Sequence, residues 1–150
     1  MTDLETDLVL QAAKLDDAHN VIRKDAAASF VDLFDHLIIS GIGIDPNVYS
    51  SVVEKLLQHA LSDDIFEVRE FLFSALVDAA CAQNAIDFDW SALAHVVHSI
   101  DVRLLDIAIA ILSFTHDKSF EPLIYSFCKH DSTHIRQVAN DALIELLGRK

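Results

Sequence analysis

Chain breakers are scarce in this sequence. Only 3 Gly and 2 Pro interrupt 150 residues, and Thr occurs four times. Strand-and-turn proteins need many more breakers and more Thr, so the abundant Ala and Leu point to helices instead. Cysteine is limited to Cys81 and Cys128, each in an apolar stretch. Two thiols are too few for a disulfide framework and suit packing in a reducing compartment. No uninterrupted apolar run approaches the ~18 residues of a membrane helix. The opening Met1-Thr2-Asp3-Leu4-Glu5-Thr6-Asp7 is acidic, with Lys14 the first cation. A secretory signal needs a basic start and a long apolar run, so the expected location is cytoplasmic, without membrane contact.

Cations are also in short supply: 11 Lys and Arg stand against 24 Asp and Glu, for a net charge of -13. Nucleic-acid affinity comes mostly from cations displacing counterions, so this charge argues against a nucleic-acid partner. It attracts a basic protein and speeds its association, while the same acidity also serves solubility and a monomeric free state.

What is present is an apolar content of 52% and a repeat. Four of the five arginines share one setting: Ile22-Arg23, Val68-Arg69, Val102-Arg103 and Ile135-Arg136, spaced by 46, 34 and 33 residues. A period between ~20 and ~50 residues marks a solenoid, each unit burying its apolar face on the next. From each Arg, the residues at +3, +6, +7 and +10, with the apolar one at −1, fall on one helical face. They are Ala26, Ser29, Phe30 and Leu33; Leu72, Ala75, Leu76 and Ala79; Asp106, Ile109, Ala110 and Ser113; and Ala139, Ala142, Leu143 and Leu146. The first and third sets each contain a polar exception.

Short polar breaks precede these helices: Asp16-Asp17-Ala18-His19-Asn20, Ser62-Asp63-Asp64, Ser99 to Asp101, and His130-Asp131-Ser132-Thr133. Their side chains accept bonds from the free amides of a starting helix, so they predict N-caps. Amphipathic first helices are predicted near 3–15, 46–61, 90–98 and 120–129, with Pro46 and Pro122 at or near helix starts, where a missing N–H costs nothing. Ser40-Gly41-Ile42-Gly43 supplies the turn that lengthens the first spacing. The sequence thus predicts an all-α chain of eight helices in four antiparallel pairs, in one domain over 1–150.

The stretch Asp117-Lys118-Ser119-Phe120-Glu121-Pro122-Leu123-Ile124, followed by His130-Asp131, Ile135-Arg136, Ala139 and Ala142-Leu143, resembles a HEAT-like repeat of the type found in phycobilin lyases. Asp63-Asp64 with Val68-Arg69 and Ala75-Leu76 resembles it less fully. The resemblance implies a right-handed α-solenoid of about four hairpins whose second helices line a concave binding surface. It also implies that Arg23, Arg69, Arg103 and Arg136 form a structural ladder, each bonding an acidic residue at the preceding turn. Asp64 and Asp131 lie five residues before their Arg, and Asp101 two before. The rigid five-donor fork of Arg suits such ties.

The side of each second helix turned from the core carries the candidate binding residues. Offsets +2, +5 and +9 give Asp25, Ala28 and Asp32; Phe71, Ser74 and Asp78; and Val138, Asp141 and Glu145. Offsets +1, +4 and +8 are expected to point most directly outward, and include Glu70, Phe73 and Val77, then Leu104, Ile107 and Ile111. The third second-helix, Val102 to Phe114, is apolar nearly all round, as for a helix buried between neighbours. A concave strip with an apolar centre of Phe73, Val77 and Ile107 and acidic flanks from Asp32, Glu70, Asp78, Asp141 and Glu145 suits a basic protein partner. The competing expectation is that Phe73 and Ile107 pack inside the fold.

Motifs for chemistry are thin. His95 and His98 lie three apart on one helix but lack an evident third metal ligand. His130 and His134 straddle a helix start, where capping is the simpler role. Asp87 and Asp89 precede Trp90 as N-cap acids, without the Gly and distal Glu of a calcium loop. Gly41-Ile42-Gly43 lacks the Lys and third Gly of a phosphate loop. Neither cysteine has a base beside it in sequence. The expectation is therefore a non-enzymatic binding module with no cofactor and no metal. Its sharpest form is an acidic inhibitor of a basic protein, of the immunity or antitoxin type, directed at a nuclease-like toxin. A general adaptor or assembly factor uses the same scaffold, and the resemblance alone suggests a tetrapyrrole lyase or small-molecule chaperone.

Overall fold

Four of the α-helix starts carry a side-chain cap, at Thr2, Asp45, Asp101 and Ser132, and the predicted break at Asp16 to Asn20 does not: His19 makes no cap hydrogen bond. In the computed structural model, which describes residues 1–82 and 88–148, α1 (Asp3–Lys14) begins at a capping box. Thr2 Oγ1 accepts from the Glu5 amide at 3.2 Å, and Glu5 Oε1 accepts from the Thr2 amide at 3.1 Å. Such reciprocal capping satisfies two orphan donors at once, and these bonds from Thr2 hold the Glu5 carboxyl below the usual range. Helix α2 (Asn20–Ser40) ends at Gly41, whose φ of 65° is the left-handed conformation that glycine adopts without a Cβ clash. Asp45 then caps α3 (Pro46–Ser62), accepting from the amides of Asn47 and Val48. Helix α4 covers Phe66–Ala82.

Beyond the undescribed 83–87, α5 (Ser91–Val96) runs on into a 3-10 turn, Val97–Ser99. Asp101 caps α6 (Val102–Phe114) through the Arg103 amide at 2.9 Å. Helix α7 (Glu121–Ser126) lies between 3-10 turns at Lys118–Phe120 and Phe127–Lys129, and Ser132 caps α8 (Thr133–Leu146). Eight α-helices and no strand occur among the described residues. None of these helices is long and apolar enough to cross a membrane.

Two compact units divide the chain: unit 1 is Met1–Ala82 and unit 2 is Gln83–Lys150. In unit 1, α2 packs along α4, α1 packs on α2, and α3 on both α4 and α1. Two helical hairpins therefore stack side by side, with α1 and α3 in one layer and α2 and α4 in the other. Their core holds Leu8, Phe30, Phe34, Tyr49, Leu56 and Leu76, all buried, and each such side chain stabilises by roughly 1.5–3 kcal/mol. Tyr49 meets Phe34 edge-on at 6.4 Å and donates its hydroxyl proton to the Ala79 carbonyl, tying α3 to α4. Burial pushes the Tyr49 hydroxyl pKa up. In unit 2, α6 packs on α8, and α7 contacts both. Buried Leu105, Ala108, Leu112, Ile124, Ile135 and Ala139 belong to these three helices.

The four periodic arginines do not repeat one arrangement. Arg23 crosses from the first hairpin to the second: Nε donates to Asp63 Oδ2 at 3.0 Å and Nη2 to Asp64 Oδ1 at 3.1 Å. Its Nη1 holds the carbonyls of Asp17 and Ala18 at 3.0 and 3.2 Å. Arg136 holds the corresponding carbonyls of His130 and Asp131 at 2.7 and 3.0 Å. Arg69 donates to the carbonyl of Ala60 at 2.8 Å, and Arg103 to its own cap, Asp101. The expected carboxylate of the preceding turn is thus used by Arg103. Asp131 offers its carbonyl to Arg136, and Asp64 turns to Arg23 of the hairpin before it. A guanidinium at a helix start lies over the last carbonyls of the preceding loop, which lack helical partners and so compete for its protons.

Candidate functional site

Charge is unevenly divided between the units. Unit 1 carries 15 acidic against 5 basic residues, a net of -10, and unit 2 carries 9 against 6, a net of -3. Four of the unit 1 cations are engaged inside the fold. Arg23 serves Asp63 and Asp64, Lys24 pairs with Glu67 at 2.5 Å, and Lys55 pairs with Asp16, which also meets His59 at 3.0 Å. Those bonds, Lys55 first, hold the Asp16 carboxyl below its usual range. Arg69 is turned to a backbone carbonyl.

Of the unit 1 carboxylates that meet no cation among the described residues, five lie on the paired second helices α2 and α4. Asp25, Asp32 and Asp35 share one side of α2, separated by 7 and 3 residues, and all three are exposed. Across from them α4 presents exposed Glu70 and half-buried Asp78, with half-buried Phe71 and Ser74 between. Among the described residues no Lys, Arg or His forms an ion pair with any of these five acids. Burial, and then the like charge of Asp35, push the Asp78 carboxyl above its ordinary pKa. A like-charge pair that is partly desolvated favours any ligand that brings a cation.

Asp32 and Glu70 are exposed on α2 and α4, and Asp78 and Val77 are half-buried on α4. Phe73 does not join them. It is fully buried, so the expectation that it points outward is corrected. Helix α4 carries apolar residues around much of its circumference, and an aromatic ring of ~150–250 Å² goes where it loses most water contact. Asp35, at +12 from Arg23, escaped the sequence reasoning because the offsets considered stopped at +10. Extending the 3.6-residue period by one turn from Asp32 finds it.

In unit 2 the register of α6 is rotated from the expected one. Leu104 and Ile111, expected outward, are fully buried, while Asp106 and Ala110, expected in the core, are half-exposed beside half-exposed Ile107 and Phe114. Asp106 Oδ2 meets His134 Nε2 at 3.2 Å, and Ser113 satisfies its hydroxyl on the Ala110 carbonyl. Asp106 thus marks the half-exposed side of α6, while Ser113 is buried with its hydroxyl satisfied within the helix. Asp141, exposed, and Glu145, half-exposed, line a groove of about 200 Å³ with Ala110, Ser113, Phe114, Val138 and Ala142. Asp141 accepts from Gln137 at 3.2 Å, and Glu145 meets His116 at 3.2 Å.

A broader, open depression of about 990 Å³ follows the hairpin turns of unit 1, between Leu15 and Arg23 and around His59 to Ile65. Its polar lining is already joined internally, through Arg23 to Asp63 and Asp64 and through Asp16 to Lys55 and His59. It is a structural seam. Among the remaining chemical candidates, His98 stacks on Phe127 with centroids 4.7 Å apart, and His95 is exposed. His130 Nδ1 accepts from the Ser132 amide at 3.0 Å, and Asp89 caps Ser91 at 2.9 Å. Asp87 lies outside the described residues. No three His, Cys, Asp or Glu groups converge as metal ligands among the described residues. Compared with family models, with curated protein sequences and with solved structures, the chain matches none.

Proposed function

We propose that this chain is a non-enzymatic protein-binding module that captures a basic protein on the α2–α4 face of unit 1. The observation that carries the proposal is the group of five carboxylates that form no ion pair among the described residues: Asp25, Asp32, Asp35, Glu70 and Asp78. Acids placed for solubility alone gain nothing from crowding against one another; burial first, and then the like charge of Asp35, push the Asp78 carboxyl up. A cationic surface docking there removes the repulsion and gains Coulomb attraction, which also raises the association rate. Half-buried Phe71 and Val77 supply apolar contact beside the charges.

The sharpest form of the proposal is an inhibitor of the immunity or antitoxin type. A nuclease-like toxin holds phosphate in a cationic groove, and a row of carboxylates on a rigid helix pair occupies that groove as a substitute anion. The proposed scaffold is HEAT-like, with the four hairpins continuing as a right-handed solenoid. The Arg23 and Arg136 guanidinium caps over loop carbonyls support the kinship of the first and last hairpins.

The test is co-purification from the native host, with the wild-type chain and a D25K/D32K/E70K variant, washing at low and then high salt. All three positions are exposed, so the variant keeps its fold. The expected result is a basic protein held by the wild type at low salt, released at high salt, and bound at least roughly a hundredfold more weakly by the variant. Recovery of the same partner by the variant, or of no basic protein by the wild type, overturns the proposal.

A further inference from the structure

We propose that the groove between α6 and α8 in unit 2 is a seat for one arginine side chain of the basic partner. It rests on the reading above for the character of that partner but concerns a different surface. The groove has an apolar floor of Ala110, Phe114, Val138 and Ala142, with Asp141 and Glu145 on its rim. The two acids stand four residues apart on α8, so their carboxylates lie on one side of the helix, about one turn from each other.

Charge and shape together select the occupant. Neither carboxylate meets a Lys or Arg among the described residues. Asp141 has the neutral amide of Gln137 and Glu145 has the His116 ring. An anion is repelled by this rim, and a purely apolar group would strip water from two carboxylates without replacing their bonds. A Lys ammonium is a compact, strongly hydrated point charge. A guanidinium is flat and less hydrated, with five donors in a fixed fork that spans acceptors a turn apart. Half-exposed Phe114 gives its planar face an aromatic surface to lie against. The groove volume of about 200 Å³ admits one such side chain, with its aliphatic stem on Ala110, Val138 and Ala142.

The experiment is an amide-resolved NMR titration of the full chain with Nα-acetyl-L-arginine amide, against the citrulline counterpart, which has the same shape without the charge. The arginine amide is expected to shift the Ala110, Phe114, Val138, Asp141 and Glu145 amides saturably, with the citrulline compound at least roughly tenfold weaker. The near-isosteric D141N/E145Q variant is expected to lose the difference between the two compounds. Equal shifts from both compounds overturn the proposal, as do arginine shifts confined to α2 and α4 or an unchanged response in D141N/E145Q. If the basic partner still co-purifies while the groove ignores arginine amide, this inference fails and the α2–α4 reading stands. Selective arginine binding in the groove with no basic partner from the host fails the α2–α4 reading alone.

Discussion

Replacing Arg23 by Met tests the account of what joins the two hairpins of unit 1. The Arg23 side chain is 13% exposed and that of Asp63 only 3%, so the pair is largely shielded from water. Its hydrogen bond to Asp63 is the main reason the guanidinium pKa rises. Met keeps much of the stem and removes the fork. Asp63 is then a buried carboxylate whose remaining support is the Ile65 amide at 2.9 Å, and the Asp17 and Ala18 carbonyls lose their shared donor. Removing one partner of a buried ion pair costs about 3–5 kcal/mol, and this seam lies at a turn that water can enter, so the lower end applies. At roughly 2–4 °C per kcal/mol for a chain of this size, the melting temperature falls by about 6–12 °C.

Arg136 provides the comparison. It also holds two loop carbonyls and the Thr133 hydroxyl, but no buried carboxylate depends on it. R136M is expected to cost about 1–2 kcal/mol, measured like R23M by urea denaturation followed by far-ultraviolet circular dichroism. The decisive variant is R23M/D63N. Neutralising Asp63 removes the stranded charge while Asn keeps an acceptor for the Ile65 amide, so the double variant should be more stable than R23M alone. A double variant no more stable than R23M refutes the stranded-charge reasoning.

The remaining predictions probe single elements. Y49F leaves the Ala79 carbonyl without its donor in a buried setting, and should lower stability by about 1–3 kcal/mol at unchanged urea m-value; parity with the wild type would sink that assignment. F73A should cost about 3–5 kcal/mol in the same assay, because Phe73 is fully buried; a loss under about 1 kcal/mol would return it to the surface. Asp78 binds its proton more tightly in the folded chain than its ordinary value of 3.8, so stability declines as pH rises through the interval above that value. D78N removes that decline: thermal melts should find it more stable than the wild type at pH 7 and indistinguishable from it below pH 3.8, and a constant difference at both would count against the raised carboxyl.

Some helix positions were legible in the sequence because their starts are chemically marked. Thr2, Asp45, Asp101 and Ser132 each accept from an amide of the helix they begin, and the side chains that do this are few. The second helix of the third hairpin was predicted at Val102 to Phe114 and is found there. Its rotation was not legible. Periodicity orients a helix only where polar and apolar residues segregate, and α6 has too few polar residues to do so. Alignment on Arg103 sent Leu104 and Ile111 outward, whereas Asp106 and Ala110 occupy the half-exposed side. A carboxylate in an apolar register is better evidence of facing than the register itself, because an unpaired carboxylate in a core costs more than a missing methyl contact.

The acidic face shows the same limit at longer range. A net charge of -13 says nothing about where it acts, because a carboxylate that already holds a cation inside the fold offers little to a partner. The pairs that settle this in unit 1 join residues far apart in sequence: Arg23 with Asp63 at a separation of 40, and Lys55 with Asp16 at 39. Lys24 and Glu67 meet at a comparable separation. Each pairing follows from hairpins stacked side by side, in which a turn or helix start meets its counterpart one repeat later. No local pattern reveals which acids are taken. Once the stacking is known, the acids that remain without an ion pair include Asp25, Asp32, Asp35, Glu70 and Asp78, on helices that pack along each other. Composition supplies the sign of the surplus charge, and the stacking of two hairpins decides which acids on α2 and α4 hold no cation.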